Sequence, residues 1–307
     1  MTRSSQGVGN ITGHFIDRVK QVHGAKGTAW LESISHLIAY AEKRWRFSCL
    51  PPFELSYNYV APVIFNDASQ GVLKLMIPGE ECDHQIKTLT IYHGSTMCEL
   101  IGSDAERGIL VLEKLIPGLT LKTVIQEDTS VKIAAELIRD MPSKNTNGIH
   151  PFPTTSKWQE RLYEASPTDF PEGTKIQERV ISRAKRLSHK LCSKSKNTYL
   201  LHGDFHHDNI LLAGQRWKLI DPKGVIGEMA CEVVPFLMNN ITIDDAEAKI
   251  KHRATQFAEL LDLDLNRIYG WGLCHSVLSA CWDLDDNIAI PQETIFVIDI
   301  FDDLARD

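Results

Sequence analysis

Residues 201–221 read LHGDFHHDNILLAGQRWKLID, and this stretch crowds histidines, aspartates and one asparagine around a short apolar run. Two kinds of site are compatible with these residue types. Imidazoles that converge would predict a zinc site and a metal-dependent hydrolase. The oxygen-bearing side chains instead predict a loop that positions a hydroxyl beside a magnesium-bound phosphate.

The spacing of the histidines is unfavourable for the zinc interpretation. His206 and His207 are adjacent, so in an extended segment their side chains point to opposite sides. His202 and His206 have the interval of one helical turn, but they bracket Gly203 and Asp204, which make a poor helix interior. A zinc-dependent hydrolase is therefore the weaker of the two interpretations.

The phosphate interpretation uses the polar residues more economically. Asp204 can accept a hydroxyl proton, and Asn209 can offer an amide oxygen to a metal ion. The runs ILL and RWKLI, separated by AGQ, predict a β-hairpin that returns the chain and brings Asp221 beside Asn209. Mg²⁺ prefers such hard oxygen ligands.

Composition sets broad limits on the protein. The chain has 307 residues, of which 43% are hydrophobic and 24% charged, as in globular proteins. No apolar run reaches the length of a membrane span, and the first 15 residues lack the apolar core of a secretory signal, so the expected location is the cytoplasm. Seven scattered cysteines without a CxxC pair predict neither a disulfide framework nor a zinc ribbon.

The net charge is −7, and it is unevenly distributed. Residues 283–307 contain eight carboxylates and one arginine, while the rest of the chain is balanced. The chain therefore lacks the basic surplus typical of nucleic-acid binding, and no membrane or obligate protein partner is expected. An acidic C-terminal wall would attract a cationic small molecule.

Hydrophobic periodicity predicts an α+β organisation in two parts. The first part, residues 1–116, reads as helix, strands, helix and strands, and the second, residues 117–307, is mostly helical after a hinge at 117–121. The predicted elements of the first part are helices at 14–47 and 81–93 and strands at 55–65, 71–77, 96–104 and 108–116. In the second part, the pattern predicts helices that begin at 129 and at 175 and further helices towards the C-terminus, with Thr129 and Ser130 as helix caps. Polar loops are predicted near 142–156 and 166–174.

The motif HGDFHHDN followed by LIDPKGVIGE resembles the aminoglycoside phosphotransferases, which are relatives of the protein kinases. The blocks AWLESI, LSYNYVAP, VLEKLIPG and SVLSACW extend the resemblance to the branch that contains streptomycin and hydroxyurea kinases. The resemblance implies a two-lobed protein-kinase-like fold with an N-terminal nucleotide-binding lobe. It also implies ATP and Mg²⁺ as cofactors and a hydroxyl of a small molecule as acceptor.

The resemblance also implies roles for residues of the central stretch. Asp204 would be the catalytic base or orienting group, and Asn209 and Asp221 would hold Mg²⁺. His206 falls where protein kinases have a phosphate-contacting lysine. Pro222 departs from the protein-kinase pattern, which has phenylalanine after the metal-binding aspartate.

In the first part of the chain, the resemblance implies which residues bind the nucleotide. Lys74 would pair with the α- and β-phosphates, supported by Gln85 or by Glu81, which lies four residues earlier on the same predicted helix. Adenine would bind backbone groups between Glu113 and Leu115. No GxGxxG is present, and SYNYVAP stands in the place of the glycine-rich loop.

A streptomycin-like cation or hydroxyurea is the expected acceptor, and four carboxylates are candidates for binding a cationic one: Glu228, Asp283, Asp285 and Asp286. Two alternatives keep the same fold. One is a housekeeping metabolite kinase, and the other is a nucleotide-binding protein without catalysis, which Gln85 and the missing glycine loop would favour.

Overall fold

A computed structural model describes residues 11–141, 152–170, 176–194 and 198–305. The chain divides into two compact units, one ending at Gly118 and the other beginning at Leu119. The expected boundary, after residue 116, lies two residues before this division. Parts of both predicted polar loops, residues 142–151 and 171–175, lie outside the described residues.

The first unit begins with helix α1, Gly13–Trp45, which agrees with the predicted helix at 14–47. Thr12 caps its start by accepting a hydrogen bond from the Phe15 amide, and Arg46 ends it in the left-handed conformation. Gly24 has φ +55 and ψ −130, which interrupts the regular helical geometry. Apolar residues at helical spacing, among them Trp30, are buried on one face.

Five strands of the first unit form one antiparallel sheet of order β1-β2-β3-β5-β4. The predicted strands are confirmed with shorter bounds, and β1 was not predicted, because its three residues follow the helical pattern directly. Alternate residues of β2, β3 and β5 share a core with the buried face of α1. The strands are β1 Phe47–Cys49, β2 Tyr59–Phe65, β3 Gln70–Leu75, β4 Leu100–Asp104 and β5 Ile109–Glu113.

Helix α2, Glu80–Tyr92, lies between β3 and β4 in sequence and agrees with the predicted helix at 81–93. Three acidic residues occupy its first turn, where they interact favourably with the helix dipole. Its buried side includes Cys82, Gln85 and Leu89, which are spaced at three and four residues.

The second unit is mostly helical, as predicted. Helix α3 begins at Glu127, so the expectation that Thr129 and Ser130 cap it was wrong. Glu127 and Asp128 occupy the first turn instead, and they bond to Arg253 and His252 of α8. The helices are α3 Glu127–Arg139, α4 Thr155–Glu164, α5 Glu178–Lys194, α6 Met229–Glu232, α7 Val234–Met238, α8 Ala246–Leu261, α9 Leu265–Asp285 and α10 Gln292–Leu304.

Helix α9 is the central element of this unit, with twelve buried residues that include the fully buried Trp271. Short strands complete the unit: β6 Pro117–Thr120 at the boundary, β7 Tyr199–Leu201, β8 Ile210–Ala213, β9 Arg216–Leu219 and β10 Val225–Gly227. Strands β7 and β10 pair antiparallel, as do β8 and β9. Across the described ranges, no helix has both the length and the apolar character needed to cross a membrane.

Candidate active site

The polar loop at residues 202–209 leaves the sheet at the end of β7, where Leu201 pairs with Val225 of β10. The buried carboxylate of Glu232 in α6 anchors the beginning of this loop. It accepts hydrogen bonds from the backbone amides of His202 (2.7 Å) and Gly203 (3.0 Å). Sequence reasoning missed Glu232, because nothing in the sequence links it to amides about 30 residues earlier.

Gly203 is required for the close packing of this loop. Its φ is +81, a region that side-chain-bearing residues rarely adopt. A β-carbon there would lie only 2.9 Å from Trp158 Cη2 and from Val225 Cγ1. The indole of Trp158 therefore lies directly against the residue that precedes Asp204.

His202 is a structural residue of the loop. Its Nε2 donates to the Ile220 carbonyl (2.8 Å), and its Nδ1 accepts from the Asp204 amide (3.1 Å), so both ring nitrogens are engaged. The side chain is fully buried, and burial lowers the pKa of His202 to about 4. The ring is therefore neutral at physiological pH, and it links the loop to the segment around Asp221.

The other two histidines have different surroundings. His207 is buried and stacks on Phe236, with 3.9 Å between ring centroids, and burial lowers its pKa to about 3. His206 lies between two carboxylates, with Nε2 3.4 Å from Asp204 Oδ1 and Nδ1 3.6 Å from Asp208 Oδ2. Burial works against its protonation, but the two carboxylates outweigh burial and raise the pKa of His206 to about 9.

The three imidazoles therefore do not converge on one point. Within the residues that the structure describes, no group of three or more histidine, cysteine or acidic side chains is arranged to hold a metal ion. The zinc interpretation has no support in the described geometry.

Asp204 and Asn209 are held together. The Asn209 side-chain nitrogen donates to the Asp204 carbonyl (2.9 Å) and lies 3.3 Å from Asp204 Oδ2. The Asp204 carboxylate keeps 37% of its surface exposed. Desolvation would raise its pKa, but the neighbouring His206 and Lys223 lower the pKa below the ordinary value. Asp204 is therefore an ionised, accessible carboxylate.

The predicted hairpin is present and brings Asp221 back to the loop. Strands β8 and β9 pair with Ile210 opposite Leu219, and the turn falls at Gly214 and Gln215. Directly beyond this pair, the amide of Ile220 donates a hydrogen bond to the carbonyl of Asn209 (2.9 Å).

Asp221 follows Ile220 directly. It adopts φ +61, an uncommon value that aspartate tolerates better than most residues. The next turn closes on the 202–209 loop, because the amides of Lys223 (2.8 Å) and Gly224 (3.2 Å) both donate to the His202 carbonyl. The backbone of the Asp221 segment is thus tied to both ends of the loop.

A fully buried arginine supports the loop from behind. The guanidinium of Arg253 donates to the carbonyls of Phe236, Leu237 and Asn239 and forms an ion pair with Glu127 (2.5 Å). It also lies over the Phe236 ring, on which His207 stacks. Sequence reasoning missed this residue as well, because its partners are distant in the chain.

The predicted nucleotide residues of the first unit fall into buried and exposed groups. Lys74 lies on β3 opposite Val60 and Leu110 and is only 4% exposed. It belongs to the face of the sheet opposite the one that packs on α1, because it alternates with Leu73 and Leu75 of that core. Burial of a lysine at this position distinguishes it from a solvated edge residue.

On α2, Gln85 is 2% exposed, while Glu81 is exposed. Cys82 lies on the same buried side as Gln85, and burial raises the pKa of its thiol to about 11. The positive charge of Lys74 opposes this rise. The buried side of α2 therefore lies close to Lys74.

The segment assigned to adenine begins at the end of β5. The Glu113 amide donates to the Glu99 carbonyl (2.9 Å), and the Glu113 side chain accepts from the Glu99 amide (3.0 Å). Leu115 is buried and lies beyond the last residue of the strand. The chain here leaves the regular sheet.

The four candidate acceptor carboxylates are not brought together. Glu228 is buried and forms an ion pair with Arg267 (2.5 Å), and its Oε1 also accepts from the Trp271 indole. It follows Gly227, which pairs with Tyr199, so it lies at the end of the β7–β10 pair opposite the loop. The structure therefore gives Glu228 a structural role in place of the expected acceptor role.

The acidic C-terminal segment is used partly for internal ion pairs. Asp285 bonds to Arg161 (2.7 Å). Asp302 is buried and accepts from Arg179 (2.5 Å) and Arg183 (2.8 Å). Only part of the predicted acidic wall is therefore left for a ligand.

Asp283 and Asp286 remain candidates. Burial, together with the nearby negative charge of Asp286, raises the pKa of Asp283 to about 6. A raised pKa means that the surroundings destabilise the ionised form of this carboxylate, so a nearby cation would stabilise it.

Comparison with solved structures supports the class of fold. The choline kinase LicA from Streptococcus pneumoniae is similar, with a TM-score of 0.63 over 89% of this chain and 98% of that chain, at 14% sequence identity. The chain thus has the protein-kinase-like fold, with an N-terminal sheet unit and a helical C-terminal unit. This likeness defines the class of fold to which the chain belongs.

Sequence comparison then identifies the family. The model of the aminoglycoside/hydroxyurea antibiotic resistance kinases matches residues 52–287, and the chain belongs to this family. Streptomycin 6-kinase from Streptomyces griseus is 25% identical over 86% of this chain and 88% of its own. Hydroxyurea phosphotransferase from Kitasatospora aureofaciens is 25% identical over 90% of this chain and 81% of its own. The family resemblance predicted from the sequence is confirmed.

Proposed function

We propose that the protein transfers the γ-phosphoryl group of ATP to a hydroxyl of an antibiotic-like small molecule in a magnesium-dependent reaction. The observation that carries the proposal is the closed hairpin between Asn209 and Ile220, which holds Asp221 next to the Asp204 loop. The names of the two bacterial relatives support streptomycin-like compounds and hydroxyurea as the first acceptors to test.

Asp204 is the proposed proton acceptor. Its carboxylate is ionised and partly exposed, and its backbone and side chain are both fixed by Asn209. The acceptor oxygen attacks the γ-phosphorus, the bond to the β,γ-bridging oxygen breaks, ADP leaves, and the hydroxyl proton passes to Asp204. Orientation and charge stabilisation, more than covalent chemistry, account for the rate in reactions of this kind.

Asn209 and Asp221 are the proposed ligands of Mg²⁺. The Asn209 nitrogen is engaged with the Asp204 carbonyl, which leaves the amide oxygen as the atom suited to a metal. An amide oxygen and a carboxylate are hard donors of the kind that Mg²⁺ binds. When bound, the ion would neutralise charge on the phosphate oxygens. His206, kept protonated by two carboxylates, is proposed to add positive charge for the transferred phosphate.

The first unit is proposed to bind the rest of the nucleotide. Lys74 would hold the α- and β-phosphates, and either Gln85 or Glu81 would orient it. Because the Glu113 amide already donates to Glu99, its carbonyl and the Leu115 amide are the proposed partners for adenine.

The test is a turnover screen. Purified protein is incubated with ATP and Mg²⁺ and a panel containing streptomycin, hydroxyurea and simple metabolite alcohols. ADP release and product mass are measured, with EDTA as control. One acceptor should gain the mass of a phosphoryl group only when Mg²⁺ is present. ADP release that no acceptor stimulates, and that leaves every compound unmodified, would contradict the proposal.

A further inference from the structure

Helix α1 lies outside the part of the chain that the family model matches. That match covers residues 52–287, while α1 spans Gly13–Trp45. The backbone of Gly24, with φ +55 and ψ −130, divides α1 into a first segment, residues 13–23, and a longer second segment. The first segment is here called the strap. Its contacts lead to the loop that stands in the place of a glycine-rich loop.

This loop, residues 50–58, connects β1 to β2 and contains the beginning of the SYNYVAP sequence. It has no glycine, and prolines occupy positions 51 and 52. It has no regular secondary structure, although the amide of Phe53 donates a hydrogen bond to the carbonyl of Val60 (3.0 Å). Phe53 and Tyr57 are 46% and 38% exposed. A loop with so few buried contacts depends on neighbouring elements for a fixed conformation.

The strap supplies such contacts to the loop. Phe15 and Val19 of the strap are buried in the core of the first unit, and Leu55 of the loop packs against the same core. The guanidinium of Arg18 lies over the ring of Tyr57, with 5.1 Å between its central carbon and the ring centroid. A guanidinium within about 6 Å of an aromatic centroid is attracted by the ring. Arg18 therefore joins the strap directly to the loop.

The kink between the two segments of α1 is tightly packed, which gives the strap a defined direction. A β-carbon at Gly27 would lie only 2.5 Å from the carbonyl oxygen of Val19, so the two segments approach closely there. Just after the kink, the Nζ of Lys26 donates to the carbonyl of Pro78 (2.9 Å). Pro78 lies in the connection between β3 and α2, the two elements that carry the proposed phosphate-binding lysine and its partner. Helix α1 is thus anchored beside the proposed nucleotide site as well as on the loop.

We infer that Arg18 is a positioning residue for ATP, which acts by stacking on Tyr57 and holding the 50–58 loop in its nucleotide-binding conformation. The inference rests on the proposed phosphotransferase function and adds α1 to the elements that serve the nucleotide. Without glycine, the backbone of the loop has less freedom to adapt to the phosphates, so its conformation must be fixed in advance. A loop that adopts the binding conformation only part of the time lowers the apparent affinity for ATP by that fraction.

The experiment compares variants of this contact in steady-state kinetics and in calorimetric titration with ATP and Mg²⁺. R18A and Y57L should raise the KM and the Kd for ATP roughly 2- to 30-fold without a fall in kcat. R18K keeps a cation over the ring and should recover most of the affinity, and the double variant R18A/Y57L should be no worse than the weaker single variant. The matched control is R44A, which removes a similar contact, 5.2 Å between Arg44 and the Trp45 ring, at the other end of α1. R44A should bind ATP like the parent.

Hydrogen exchange of residues 50–58, followed by mass spectrometry without nucleotide, gives a second readout, and thermal unfolding checks the fold. Exchange should accelerate in R18A and Y57L but not in R44A. The inference is overturned if folded R18A binds ATP as tightly as R44A does, or if its loop exchanges no faster than that of R44A. In both cases the parent still binds ATP and transfers phosphate, and the proposed function stands. If the parent binds no ATP, the proposed function fails, and the inference fails with it.

Discussion

Replacing Glu232 with glutamine should damage catalysis without touching a substrate. Both carboxylate oxygens accept backbone amides at the start of the 202–209 loop, at 2.7 and 3.0 Å, and the side chain is 1% exposed. Glutamine keeps one acceptor and turns an NH₂ group towards the other buried amide. A buried donor without an acceptor costs roughly 1–3 kcal/mol. For a chain of 307 residues, that corresponds to a fall in Tm of roughly 2–5 °C.

The catalytic effect should exceed the effect on stability. A shift of about 1 Å in a catalytic group can reduce turnover roughly 100-fold, so kcat should fall on this order while the KM for ATP changes little. Hydrogen exchange of the His202 and Gly203 amides, followed by mass spectrometry, should accelerate in E232Q.

The matched control for this variant is E228Q. It weakens a buried ion pair at the opposite end of the same strand pair, so it should lower Tm by a comparable amount. Its kcat should stay near that of the parent. If E228Q and E232Q lose kcat equally, or if exchange at the two loop amides is unchanged in E232Q, the positioning role of Glu232 is refuted.

Three further predictions concern other parts of the molecule. The folded-state pKa of His206, about 9, lies above its ordinary value of 6.5, so its stabilisation should be complete below pH 6.5 and lost as pH rises through 9. Urea unfolding across this pH range should show that the free energy of unfolding of the parent declines by at most about 3 kcal/mol, and that H206N lacks this decline. The prediction is contradicted if the free energies of unfolding of the two proteins change with pH in parallel. Lys74→Met should weaken ATP binding, measured by calorimetry, roughly 10- to 100-fold. Q85A should weaken ATP binding more than E81A does, because Gln85 is buried and Glu81 is exposed. An affinity of Lys74→Met equal to that of the parent would contradict the role of Lys74, and equal affinities of Q85A and E81A would contradict the role of Gln85. Arg253→Met should lower the free energy of unfolding by roughly 3–5 kcal/mol in urea, because it leaves the carboxylate of Glu127 unpaired, and a loss below about 1 kcal/mol would show that the arginine is not a support.

Local patterns explain why most elements could be predicted from the sequence. Helices such as α1 and α2 have apolar residues at three- and four-residue spacing, and β2, β3 and β5 alternate between faces. The errors have local causes too. Strand β1 has only three residues and directly follows a helix, and α3 begins two residues before Thr129 because acidic residues at its start bond to the distant α8.

In the candidate site, some residues could be predicted from the sequence and others could not. Asp204, Asn209 and Asp221 fall within 18 residues, so a single hairpin turn was enough to predict that their backbones meet. Glu232 and Arg253 hold this loop through contacts that no sequence spacing indicates.

Charge alone could not show which of the candidate acceptor carboxylates would be paired within the protein. Glu228 and Asp285 have arginine partners, and such pairs depend on tertiary packing. The sequence could therefore indicate a set of carboxylates near the acceptor, but it could not separate the paired ones from those left for a ligand.

The most direct test of the central claim is the Asp204→Asn variant, which keeps the size of the side chain and removes its ability to accept a proton. Calorimetric titration with ATP and Mg²⁺ should give the affinity of the parent, while phosphoryl transfer to the best acceptor should fall roughly 100- to 10,000-fold. Transfer by the variant at the rate of the parent would contradict the role of Asp204 and, with it, the proposed mechanism.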